Sequence, residues 1–319
     1  MSRPAGLAVR PATPSWRRRL NLAVRTQLFR VERAFTRKDY VVRSVHGNKM
    51  RLPLRGSGVT ADLAIHGTRE ELETEIFRSE VRPGMVVVDL GANIGYYTLL
   101  AASLVGPTGM VYAIEPYPES FRFLEKNVEI NGYSQRVECT RLAISDRAGT
   151  ATLFLGSAAN LHTLVDLSPH MQTSGKSIVV ETMSLDQLMS GRRPVDFLRM
   201  DIEGAECQVF DGMDRVLAQP RPPKILFEVH PVGDIDPDPR YGPRLDRLCA
   251  MGYRPEYVVP SSNRVSISSF AELGYSPKRV TPGGQGLFEG IAVSDLGKVA
   301  ARRPKITRAI LLVHSRDEA

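Results

Sequence analysis

Along this chain the apolar positions follow two periods. From Trp16 to Phe35 they recur in steps of four and three, at Trp16, Leu20, Val24, Leu28, Val31 and Phe35, which predicts one helix face. Residues 41–65 alternate instead, with turns at Gly47 and at Gly56-Ser57-Gly58, and predict a small hairpin region. Residues 68–81 read as a helix that leads into Pro83-Gly84. From there short apolar runs and helical patterns take turns. The runs at 85–90 and 110–115 predict strands, with a helix at 94–105 between them, stopped by Gly106-Pro107. A helix over 118–131 carries Phe121, Leu124 and Val128 on one face. Strands at 136–144 and 150–155 flank a turn at 146–149. After a long polar stretch, 156–176, come strands at 178–183, 197–200, 224–229 and 253–259. Helices at 205–217 and 243–251 lie among them, and 286–293 reads as the last strand. Residues 231–242, rich in proline and aspartate, read as a loop or lid.

This alternation predicts an α/β fold: a doubly wound, mostly parallel seven-stranded sheet with helices on both faces. The division that follows is a disordered basic N-terminus at 1–15, a helix-and-hairpin extension at 16–64, a catalytic domain at 65–297 and a peripheral basic tail at 298–319. In such sheets ligands bind outside the carboxyl ends of the strands, so each strand tip is a place to look for chemistry.

The first tip is the most informative. Val86-Val87-Val88-Asp89-Leu90-Gly91-Ala92-Asn93-Ile94-Gly95 is a buried strand that ends on a carboxylate and bends through glycines into a helix. A pyrophosphate would want Gly-x-Gly-x-x-Gly there, and here Asn93 stands at the second glycine. Asp89 suits a cationic ligand without phosphate. S-adenosylmethionine, with an ammonium and a sulfonium, is such a ligand, and the chain reads first as a methyltransferase. Glu115 lies 24 residues after Gly91, a spacing that lets an acid accept the ribose hydroxyls of an adenosine. Ala143 and Ile144 fall where an adenine ring would sit. Asp201 and Glu203 follow the strand at 197–200, two apart and so on one side, whereas Glu206 reads as a helix cap. Glu228 and His230 share one side of a fifth tip, where an imidazole suits proton transfer from an alcohol.

Composition narrows the picture modestly. The 319 residues are 42% hydrophobic and 24% charged, the balance of a folded protein with a sizeable core. Three scattered cysteines predict a reduced, cytoplasmic compartment. The net charge of +7 is gathered toward the ends, with ten basic residues before Asp39 against Glu32 alone. That distribution argues against a nucleic-acid partner, because the basic residues lie outside the core and no aromatic-rich RNA module accompanies them. A basic amphipathic helix at 16–35 fits either packing against the core or peripheral contact with the inner membrane face. A nicotinamide-dependent oxidoreductase is disfavoured by Asp89 and Asn93.

Taken together, residues 86–98, Glu115-Pro116, 143–146, 195–212 and 225–230 resemble the FkbM family of S-adenosylmethionine-dependent methyltransferases. The resemblance spans 65–293, and its most specific part is Asp201-Ile202-Glu203-Gly204-Ala205-Glu206. It implies cofactor contacts at Asp89, Gly91, Asn93, Gly95, Glu115 and Asp201. It also implies methylation of hydroxyls, on sugars of glycolipids and glycans or on polyketide natural products. A looser match, Asn160-Leu161-His162-Thr163, implies a segment near the cofactor. The family usually has lysine where this chain has Arg199, and arginine cannot act as a base. It is expected to hold Asp201 or Glu228 as an ion pair. The candidate bases are His230, then Asp201, then Glu228. The expected acceptor is a small-molecule or lipid-linked sugar, and no metal is expected to be required.

Overall fold

The computed structural model describes residues 16–35, 39–54, 59–156, 161–165, 173–230, 240–260, 264–296 and 307–318. The disorder expected at 1–15, Asn160, and most of the loop at 231–242 lie outside them. Helix α1 (Trp16–Phe35) forms over the predicted stripe, and from Leu20 to Phe35 that stripe faces outward. Phe29, on the other side, is the large side chain it buries. Strands β1 (Tyr40–Val45) and β2 (Asn48–Pro53) pair as the expected hairpin, turning at His46-Gly47. The turn expected at Gly56-Ser57-Gly58 lies outside the described residues, and from Val59 the chain is helical rather than extended, as α2 (Val59–His66). Met50 and Leu52 of β2 are buried in the same cluster as the central helices.

Helix α3 (Glu71–Glu80) precedes the core alternation of β3 (Val86–Leu90), α4 (Tyr96–Val105), β4 (Met110–Ile114), α5 (Pro118–Ile130) and β5 (Val137–Thr140). The expected strand 136–144 breaks after Thr140. Its second half, β6 (Ala143–Ser145), leaves the main sheet and pairs with β8 (Thr173–Ser184), which also pairs with β7 (Gly149–Gly156). Then follow α6 (Leu185–Leu188), β9 (Phe197–Met200), α7 (Glu206–Asp211), α8 (Asp214–Leu217) and β10 (Lys224–Glu228). The helix expected over 205–217 is two short ones because the chain turns at Gly212, where a Cβ would collide with the Ser145 carbonyl. The chain goes on through α9 (Tyr241–Ala250), β11 (Tyr253–Pro260), α10 (Arg264–Ala271), β12 (Arg279–Val280), β13 (Gly286–Glu289) and β14 (Thr307–His314).

The main sheet runs β12-β13-β11-β14-β10-β9-β3-β4-β5. From β10 to β5 all neighbours are parallel, and β14 is antiparallel to both β10 and β11. Seven strands make the expected doubly wound sheet, and β13 and β12 extend one edge. The tail expected to be peripheral is corrected here: β14 lies inside the sheet, with Ala309 through Val313 buried. That apolar run reads as a strand by itself, but the basic residues before it drew the reading toward a solvated tail. The strand placed last at 286–293 is instead near the edge, as β13.

Buried strands alternate their faces as a pleat requires. Val87 and Phe197 face a cluster with Phe77, Leu99 and Leu124 of α3, α4 and α5. Val86, Val88 and Leu198 face a second cluster with Phe210, Leu245 and Leu248 of α7 and α9. Both faces are thus covered, and the open ground is the carboxyl end of β3, β4, β9 and β10.

Candidate active site

At those strand ends lies a cavity of about 420 Å³, within the range of small-molecule sites. Of the cofactor contacts expected from sequence, Gly91, Asn93, Glu115, Ala143, Ile144 and Asp201 line it. Asp89 and Gly95 do not. Asp89 is wholly buried beneath the loop, where it accepts from Thr98 Oγ1 at 2.7 Å and meets Arg199 Nη1 at 3.4 Å. Burial pushes its carboxyl up, against the opposing pull of Arg199 and Thr98. Its charge is therefore spent on the scaffold, and other acids face the cavity. Gly95 caps α4 at φ +95°.

The loop above Asp89 is backbone-built. At Gly91, φ is +76° and a Cβ would overlap the Asp201 carbonyl oxygen, so only glycine fits between the two strand tips. Asp201 N in turn donates to Leu90 O at 3.1 Å. Asn93 holds φ +52°, its side chain accepts from Ile94 N, and its amide donates to Glu115 Oε2 at 2.8 Å. Glu115 takes the Tyr117 amide on its other oxygen, also at 2.8 Å. Burial nonetheless pushes the Glu115 carboxyl up to about 7, with those two amides opposing.

One end of the cavity is apolar, lined by Leu142, Ala143, Ile144, Leu153 and Leu164. His162 stands with them, its ring 4.3 Å from that of Tyr117 edge-on, and burial pushes its pKa down to about 4, so it is neutral. Thr163 Oγ1 donates to Glu203 O at 2.5 Å. The loosely matched segment thus does border the cavity, tied down beside the opposite strand tip.

The other end is charged. Arg199 lies buried over the Tyr97 ring, 4.2 Å from its centroid, and donates to Asp201 Oδ2 at 2.8 Å. Burial disfavours its charge, but Asp201 and Asp89 more than offset this and hold its pKa above the usual range. Of the two expected ion pairs of Arg199, Asp201 forms. Glu228 lies instead beside His230.

His230 is ringed by acid. Its Nδ1 meets Glu206 Oε1 at 2.9 Å. Its Nε2 stands 3.4 Å from Glu203, 3.6 Å from Asp201 and 3.7 Å from Glu228. Burial would lower the imidazole's pKa, yet Glu203 and Glu206 raise it well above its ordinary value. The acids around it thus favour the protonated form of the ring. Asp201, Glu203 and His230 each offer one ligand atom within 4.8 Å of the others, the spacing a cation would need. An imidazolium nitrogen has no lone pair for a metal, so the ring's own proton competes with one.

Three contributors were not legible from sequence. Glu206, read as a cap, is fully buried and also accepts from Tyr241 Oη at 2.7 Å, so it anchors His230. Arg69 and Glu70 reach the cavity from the turn before α3: the sequence reading placed them inside a helix over 68–81, whereas the helix begins only at Glu71. Glu70 takes φ +46°, and with Asn93 and Glu203 at φ +54° it puts three non-glycine residues of the left-handed region around one cavity. Such backbone is uncommon and concentrates where a site is held in a set shape. A positive φ has no sequence signature at glutamate.

Five carboxylates line this cavity, at Glu70, Glu115, Asp201, Glu203 and Glu228, against Arg69, Arg199 and His230. An acid-rich, glycine-walled cleft with an apolar end fits a sulfonium-bearing amino acid joined to an adenosine. Glu115, expected to take the ribose hydroxyls, and Ile144, expected against the adenine ring, both line it.

The methyltransferase FkbM domain family matches residues 89–255, which include all of these strand tips. The 31-O-demethyl-FK506 methyltransferase FkbM of Streptomyces tacrolimicus is 31% identical over 219 residues, 57% of this chain and 82% of that protein. Among solved structures, a putative transferase from Pyrococcus horikoshii shares 13% identity over 87% of this chain and 73% of its own, with a TM-score of 0.43. Methyltransferase FkbM from Methylobacillus flagellatus KT shares 13% over 86% and 59%, with a TM-score of 0.39. The fold assignment rests on the sheet order, not on these scores. The sequence match runs through the loop, the acidic tip and the histidine alike, and the chain belongs to the FkbM family of S-adenosylmethionine-dependent methyltransferases.

Proposed function

We propose that this methyltransferase acts on oxygen, at a hydroxyl of a sugar carried by a glycolipid or glycan. The observation that carries the reading is His230 Nε2 facing Asp201, Glu203 and Glu228 at 3.4–3.7 Å beside the cavity. Clustered carboxylates are good acceptors for the several hydroxyls of a sugar. A hydroxyl is a weak nucleophile, and a positioned base adds about 10²–10⁴-fold.

S-adenosylmethionine, when bound, supplies the methyl carbon and takes the electron pair of the broken carbon–sulfur bond. The chain's residues align the acceptor oxygen behind that carbon and receive its proton. His230, in its deprotonated fraction, is the base. Glu206 fixes the ring through Nδ1, which leaves Nε2 as the atom that takes the proton. Asp201, held by Arg199, and Glu228 stabilise the imidazolium that results. Orientation of this kind supplies roughly 7–11 kcal/mol of the barrier in favourable cases. No step uses a metal ion, so turnover is expected to survive dialysis against a chelator. Loss that returns on adding magnesium would overturn that part.

A second reading, a hydroxyl of a polyketide or other small natural product, is favoured by the relative whose name gives 31-O-demethyl-FK506 as its substrate. Transfer of labelled methyl from the cofactor into extracted glycolipids, with polyketide extracts in parallel, separates the two. Label recovered as a methyl ether on a sugar supports the first. Label only in the polyketide fraction supports the second, and label on nitrogen or carbon would overturn both.

A further inference from the structure

Six of the eight large apolar side chains exposed among the described residues lie on α1: Leu20, Leu22, Val24, Leu28, Val31 and Phe35. Five of them belong to the predicted stripe. Each of those is about half exposed, and Phe35 reaches 81%. Single exposed apolar residues are ordinary, whereas a continuous stripe marks a surface that meets something.

The charges beside the stripe say what. Helical spacing sets Arg30 along one edge and Arg25 along the other, both exposed. The helix sequence carries six arginines, and its one acid, Glu32, is paired with Arg43 of the hairpin. An apolar face with a cationic border matches an anionic bilayer: the side chains enter the acyl boundary while the guanidiniums stay at the headgroups. A second copy of the chain is a poorer match, because it would bring two arginine-rich helices together.

We propose that α1 docks this protein on an anionic lipid surface. Docking also has a direction. The inner side of α1 packs on α2, and Val59, the first residue of α2, lines the cavity. Seating the helix in the headgroup layer therefore holds the catalytic cleft next to the membrane. A lipid-linked acceptor would then reach it without leaving the bilayer. This consequence rests on the glycolipid reading above, whereas the docking itself does not.

The test uses the full chain in co-sedimentation with vesicles of phosphatidylglycerol or of phosphatidylcholine. The expected result is binding to the anionic vesicles that weakens with salt, and at least about tenfold less binding to the neutral ones. Val24→Asp with Leu28→Asp should abolish sedimentation, and Arg30→Glu should weaken it by about tenfold. Both variants should keep the parent's thermal midpoint and its affinity for S-adenosylhomocysteine, since none of these side chains lines the cavity. Equal binding to both vesicle types, or none to either, overturns the proposal. So does a stable dimer that Leu28→Asp converts to monomer. Failure to bind S-adenosylhomocysteine would count against the cofactor site instead, and would leave the docking result standing.

Discussion

Gly91 shows how tightly single residues govern this site. Its Cβ position is occupied by the carbonyl of the neighbouring strand tip, so Gly91→Ala must push β3 and β9 apart. Affinity for S-adenosylhomocysteine in calorimetry should fall at least about tenfold, alongside a lower thermal midpoint. Asp89→Ala acts differently, because Asp89 does not touch the cavity. It leaves buried Arg199 short of one anion, and the fold should lose about 3–5 kcal/mol in denaturant titration. Glu115 carries a pH signature. We propose that ribose hydroxyls bind its ionised form, and burial pushes its carboxyl up to about 7. Affinity for S-adenosylhomocysteine should therefore drop as pH falls below about 7, and Glu115→Gln should flatten that profile at a weaker affinity. For His230 the raised pKa means that the basic form grows as pH rises, so turnover should climb on the alkaline side. His230→Ala should cost about 10²–10⁴ in turnover and leave cofactor affinity nearly intact.

At the level of elements, two differences from the sequence reading share a cause with one choice it left open. The strand β14, the division of residues 205–217 at Gly212 and the outward stripe of α1 were all decided by what lies opposite. A run such as Ala309-Ile310-Leu311-Leu312-Val313 is apolar enough for a strand, yet nothing in it names β10 and β11 as its neighbours. Leu311 is fully buried between them, and Leu311→Ala should cost about 2–5 kcal/mol of stability. A change below ~1 kcal/mol in the denaturation midpoint would show β14 to be dispensable. By contrast α4, α5, β3, β4, β9 and β10 lie where periodicity put them, within a residue or two. Their apolar runs are long, both faces of the sheet are covered, and capping residues such as Pro118 and Gly106 punctuate them.

For the whole molecule, the telling quantity is where charge sits. A chain of net +7 places an acid excess around one cavity and six of its arginines on one helix. Both Glu115 and His230 have folded pKa values raised above their unfolded ones. For such groups the stabilising contribution is complete below the unfolded pKa and is lost as pH rises through the folded one. The empty protein should thus lose thermal stability relative to Glu115→Gln as pH rises from about 4.5 through about 7. Bound S-adenosylhomocysteine should narrow that gap at neutral pH.

The strand-tip chemistry was open to reading in one dimension because it is local. An apolar run fixes a buried strand, the strand fixes its tip, and Asn93, Glu115, Asp201, Glu228 and His230 follow by position. That was enough for the fold class and the methyl donor. What the linear order left open was direction and company. Asp89 turned inward to Arg199, Glu206 became the anchor of His230, and Arg69-Glu70 came in from a distant turn. Each depends on which groups are buried together, and burial sets both the charge state of a carboxylate and the atom it bonds. That is a property of the packed sheet, not of any stretch of chain.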